Sequence, residues 1–102
     1  MVLLKTVTLS ALLAGSLFAQ VDFKNFSDIC DSSKECQNRA VEIKAVQYLL
    51  KKRFDSTVSV NDKWSTQTKN AVIAFQSKNG LPGTGYIRSK TKIALNELLF
   101  GK

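Results

Sequence analysis

The 102-residue sequence contains no histidine, one proline, one tryptophan, one methionine and two cysteines. Without an imidazole there is no Ser-His or Cys-His nucleophile pair, no histidine-ligated catalytic zinc, and no side chain that titrates near neutrality unperturbed. Catalysis would fall to carboxylates, lysines or tyrosines. A glycosidase-type mechanism needs two acids flanking a cleft, and here there are eight scattered acids in a chain with little volume for one. The expectation is therefore a protein that is not an enzyme and has no catalytic residues, cofactor or metal. With 44% hydrophobic and 23% charged residues, collagen-like repeats and general disorder are excluded.

Long apolar runs are also lacking. The uncharged stretch from Thr6 to Val21 is 16 residues, short of the roughly 20 that a spanning helix needs. It follows Lys5 and is apolar from Val7 to Ala19 except for Thr8, Ser10, Gly15 and Ser16. That is the layout of a secretory signal peptide over residues 1–19. The expected cut follows Ala19, with a cut after Ser16 as the alternative because Leu17 is large for its position. The mature chain is thus expected to be periplasmic or secreted and not an integral membrane protein.

From Gln20 onward, 83 residues carry 14 basic and 8 acidic side chains, a net charge of +6. This suffices for one small domain. A domain of that size buries only roughly 60–65% of its unfolded surface, so a covalent staple is useful. Cys30 and Cys36 are predicted to supply one, since both lie in the exported part. Closing so short a loop restricts the unfolded chain by about 2 kcal/mol in the entropic model. Two sulfurs without histidine make a poor metal site.

Residues 20–39 are polar, with Phe23, Phe26 and Ile29 as apolar anchors, and read as a lead-in packed on the domain formed by residues 40–102. From Ala40 to Arg53, Ile43, Val46, Leu49, Leu50 and Phe54 recur every three or four positions, with Lys51, Lys52 and Arg53 at the end. This predicts an amphipathic helix whose last turn suits the dipole. A second helix is expected from Ser65 or Thr66 to Asn79-Gly80, presenting Thr68, Ala71, Val72 and Phe75. A third opens at Ser89, carries Thr91, Ala94, Leu95 and Leu98 inward, and closes at Gly101.

The second and third helical units resemble each other. Aligning Thr68 with Thr91 pairs Trp64 with Ile87, Lys69 with Lys92, Ala71 with Ala94, Val72 with Leu95 and Phe75 with Leu98. The expected architecture is all-α: a small three-helix bundle with ordered loops on one face.

Several motifs in order carry a resemblance to a known family. These are Val46-Gln47-x-Leu49-Leu50, Trp64-Ser65-x-x-Thr68, Ala71-Val72-x-x-Phe75-Gln76, Gly80-Leu81-Pro82-x-x-Gly85-Tyr86-Ile87 and Thr91-x-x-x-Leu95. Over about Val41 to Leu98 the chain resembles the small three-helix peptidoglycan-binding domain often appended to bacterial cell-wall hydrolases. One stretch departs: the family usually has Asp-Gly-x-Phe/Trp-Gly before the second helix, and here Asn61-Asp62-Lys63-Trp64-Ser65 stands there. Asparagine and aspartate tolerate left-handed backbone best among non-glycine residues, so the turn is expected to survive. Ser65 is suited to capping the helix.

The resemblance implies non-catalytic binding of peptidoglycan, through glycan strands or stem peptides, by a stand-alone secreted module. Peptidoglycan offers acetylated sugars, amides and free carboxylates, which call for aromatic faces, amides and cations. Asn61, Lys63, Trp64, Asn79, Tyr86 and Arg88 are of those types and fall in or beside the two connections. Trp64 is also read as core volume, Gln47 and Gln76 as holders of loop backbone, and Thr68 and Thr91 as ties at helix starts.

Two other readings remain open. The same fold can act as a protein-interaction or inhibitory module for a cell-wall hydrolase or another secreted or envelope protein. Anionic polymers could also bind through the positive charge, although export and the lack of basic-aromatic interleaving argue against nucleic acid.

Overall fold

The computed structural model describes residues 21–101. The expected signal peptide lies outside them. Three α-helices form where the apolar spacing places them: α1 (Ala40–Arg53), α2 (Thr66–Lys78) and α3 (Ser89–Leu99). The lead-in contributes one 3-10 turn, Phe23–Asn25. Among the described residues no helix is long and apolar enough to cross a membrane.

Each helix buries one stripe. α1 turns Ile43, Val46, Leu49 and Leu50 inward, α2 Ala71, Val72 and Phe75, and α3 Ala94, Leu95 and Leu99. The expected inward Leu98 is only half-buried, and Leu99 takes the core position. The reason is a second buried face on α3, where Lys92 and Asn96 meet the lead-in and turn the helix one residue from the simple stripe. Phe23, Ile29, Val58 and Ile87 complete the core from outside the helices.

The helix ends follow local chemistry. Ser65 caps α2 by accepting from the Thr68 amide at 3.2 Å. At the other end Gly80, at φ +72°, lets the Leu81 amide reach back to the Gln76 carbonyl at 2.9 Å. Neither Arg39 nor Arg88, which precede α1 and α3, makes a side-chain cap.

The lead-in is sewn to α3. The Asn96 amide donates to Asp22 at 2.8 Å and its oxygen accepts from the Phe23 amide at 2.8 Å. Lys92 donates to the Phe26 carbonyl at 2.7 Å and to Asp28 at 2.6 Å. Ile29 then pairs with Ile87 in one antiparallel bridge, with N···O distances of 3.1 and 2.8 Å. The Cys30–Cys36 disulfide, with its Cα atoms 5.8 Å apart, closes the loop that follows. This brings Asp31 beside the connections that precede α2 and α3.

Candidate functional site

Both connections are shaped by a buried glutamine. Gln47, on α1, is fully buried and points its amide at the segment before α2. Its nitrogen faces Asn61 Oδ1 at 3.1 Å, the Lys63 carbonyl at 3.0 Å and Thr68 Oγ1 at 2.9 Å. Its oxygen accepts from the amides of Asn61 and Asp62, each at 2.9 Å. Gln76, on α2, does the same before α3. Its nitrogen faces Thr84 Oγ1 at 3.3 Å, the Tyr86 carbonyl at 2.9 Å and Thr91 Oγ1 at 3.0 Å, while its oxygen accepts from the Gly85 amide at 2.8 Å. A buried amide left without such partners would cost roughly 1–3 kcal/mol per group, so each glutamine holds its connection in one shape. The predicted roles of Gln47, Gln76, Thr68 and Thr91 are all seen here.

The clamps set where the candidate side chains go. Asn61 spends its side chain inside the first clamp, accepting also from the Lys63 amide at 3.1 Å. Its part is to shape the turn. Asp62 adopts φ +58°, the left-handed turn expected of the Asn61-Asp62 pair. Lys63 is exposed, and only its backbone enters the clamp.

Trp64, Tyr86 and Arg88 come together, and they do so around residues that sequence reasoning does not single out. Trp64 is half-buried, resting on the core while its Nε1–H donates to Asp31 at 2.9 Å. Core packing and surface chemistry thus share one ring. Lys69, on the first turn of α2, donates to the other Asp31 oxygen at 2.6 Å, and the Tyr86 hydroxyl approaches that oxygen at 3.4 Å. The Tyr86 ring has two cations near it, Lys69 Nζ 5.1 Å and the Arg88 guanidinium 5.7 Å from its centroid. Arg88 reaches Asp28 at 3.3 Å and Glu35 at 3.8 Å.

These contacts tune the charges. The Lys69 ammonium, then the Trp64 N–H, hold the Asp31 carboxyl below the usual carboxylate range. Asp31 in return raises Lys69 above the ordinary lysine value. Both remain charged at neutral pH, and both are partly open to solvent.

Asn79 lies apart. Its amide donates to the Phe75 carbonyl at 2.8 Å at the end of α2, beside a small surface depression shared with Leu81, Lys90 and Ile93. A larger apolar groove of about 860 Å³ runs between the lead-in and α1, past Val21, Phe26, Val41, Ala45 and Tyr48. None of the six residues named from the sequence lines it. Its walls are mainly apolar, whereas the Asp31 cluster has the convergent polar donors that orient a ligand.

Sequence reasoning misses Asp31 because it lies in the lead-in, and misses Lys69 because nothing local distinguishes it from an ordinary solvated lysine. One signal was available. The internal alignment that pairs Lys69 with Lys92 marks two lysines at the same step after a helix start, and both reach lead-in carboxylates.

Residues 39–95 match the family model described as "Putative peptidoglycan binding domain". No curated protein and no solved structure matches the chain.

Proposed function

Because the chain belongs to the peptidoglycan binding domain family, we propose that it binds the bacterial cell wall without chemistry of its own, at the face formed by Trp64, Lys69, Tyr86 and Arg88. The observation that carries the placement is the convergence of the two clamped connections on that face. Two aromatic rings suit the C–H faces of sugars, and the cations suit stem-peptide carboxylates. Lys63 adds an exposed cation to the connection before α2, and Asn61 acts by fixing the turn. Asn79 belongs to a separate contact at most.

The family and the disulfide both fit a location outside the cytoplasm. We take the protein to be exported by residues 1–19 and released into the periplasm or the medium. The mass of the purified protein tests this: loss of 19 residues is expected, and an intact N-terminus counts against it.

Binding is tested by cosedimentation with protein-free sacculi at about 50 and about 300 mM salt, with the protein produced under its own leader. Pelleting that survives the higher salt, and that weakens in folded Tyr86→Ala and Arg88→Ala variants, is expected. Binding that vanishes at about 300 mM would mark nonspecific attraction to anionic polymer. A protein that stays in the supernatant at both salts would instead point to a protein partner such as a wall hydrolase.

A further inference from the structure

Three elements each aim one donor at the same point. Trp64 Nε1–H comes from the first connection, Lys69 Nζ from α2 and the Tyr86 hydroxyl from the second connection, and they meet the Asp31 carboxylate at 2.9, 2.6 and 3.4 Å. A cation, an indole N–H and a phenol O–H converging on one point form a receptor for a carboxylate, because each donates and none competes as a charged acceptor.

The pocket is built for the lysine. Gly85, at φ +78°, has no side chain where a Cβ would stand 2.7 Å from Lys69 Cγ and 2.9 Å from Cε. The lysine stem lies along the second connection because that position is bare. Asp31, by contrast, belongs to none of the three elements. It rides on the Cys30–Cys36 loop with its side chain 49% exposed, so it can leave without disturbing the core.

We propose that Asp31 stands in for a ligand carboxylate, and that the Trp64–Lys69–Tyr86 cluster grips the free carboxylate of a peptide when Asp31 swings out. This rests on the wall-binding reading and deepens it, naming the stem peptide rather than the glycan as what the cluster holds. The disulfide keeps Asp31 near its donors at high effective concentration. The apparent affinity is then the intrinsic affinity reduced by the fraction of time the site is vacant.

The test follows the fluorescence of Trp64, the one tryptophan in the chain, during titration with N-acetyl-alanyl-alanine or its C-terminal amide. Asp31→Ala should bind the acid at least about tenfold more tightly than wild type, since the internal competitor is gone. Adding Lys69→Met should abolish that gain, and the amide should bind no variant. Glu97→Gln, which removes one negative charge on the exposed side of α3, should match wild type. No gain in a folded Asp31→Ala, an equal gain for the amide, a gain that survives Lys69→Met, or a matching gain in Glu97→Gln would each overturn the proposal. Should Asp31→Ala fail to fold, Asp31→Asn carries the same expectation and the same refutation. A variant that grips the acid while wild type ignores sacculi would sink the wall reading and leave the receptor standing.

Discussion

The connection before α2 and the connection before α3 are held by nearly the same bonding scheme, the exception being that the Asn61 amide also donates to Gln47 whereas its counterpart, the Thr84 amide, donates to the Pro82 carbonyl. With Thr68 set against Thr91, the partners of Gln47 (Asn61, Asp62, Lys63 and Thr68) fall on those of Gln76 (Thr84, Gly85, Tyr86 and Thr91). Even the small internal bond repeats: the Lys63 amide donates to Asn61 Oδ1 and the Tyr86 amide to Thr84 Oγ1, both at 3.1 Å. The surroundings also differ. Asp62 is exposed at φ +58°, whereas Gly85 is buried at φ +78° against the Lys69 stem. The same backbone shape therefore admits aspartate in one connection and demands glycine in the other.

The largest test of this comparison is the clamp itself. Gln76→Leu should destabilise by about 3 kcal/mol, because the Gly85 amide it abandons is buried. Gln47→Leu should cost less, about 2 kcal/mol, since water can reach Asn61 and Asp62. Urea unfolding of both variants checks the order, and equal losses would break the explanation from burial.

Gly85→Ala should lose about 2 kcal/mol through left-handed strain and the clash with Lys69. It should also weaken binding to sacculi, as the lysine is pushed from its place. Replacing both cysteines with serine should cost about 2 kcal/mol in thermal unfolding yet leave wall binding at low temperature. Loss of binding by a folded cysteine-free protein would show that the loop shapes the site. At the other connection, Asp62→Gly should change stability by less than about 0.5 kcal/mol, because relief at positive φ is offset by a freer unfolded chain.

The smallest effect is the pH dependence of the Asp31–Lys69 pair. Asp31 titrates below its ordinary value, so its contribution is full above about pH 4 and is lost as pH falls through the lowered value. Lys69 titrates above its ordinary value, so its contribution is full below about pH 10 and is lost as pH rises further. Thermal melts of Asp31→Asn should therefore converge on wild type in acid and differ most near neutrality. A difference that grows in acid would reverse this assignment.

Much of the fold was legible because helices announce themselves locally. Ile43, Val46, Leu49 and Leu50 mark the inner face of α1 by spacing alone, and Ser65 and Gly80 mark the ends of α2 by backbone chemistry. Gln47 and Gln76 were readable as loop holders because an amide on an apolar stripe has to find partners. The candidate site was legible only in part. Trp64, Tyr86 and Arg88 declared themselves by type and by lying in connections, but Asn79 has the same credentials and sits elsewhere. Lys92 and Asn96 have the character of outer-face residues of α3 until the lead-in covers them.

The sequence by itself determined the three helices, the inner stripes of α1 and α2, the disulfide partners and the family, because each depends on spacing or chemistry within a short span. Only the tertiary structure decided that Asp31 meets Trp64, Lys69 and Tyr86, contacts that span 33, 38 and 55 positions along the chain. Such a meeting depends on the path of the lead-in across α3 and on the Ile29–Ile87 bridge that ends it. No local propensity records that path, since it is set by which buried surfaces and polar groups the whole chain satisfies at once.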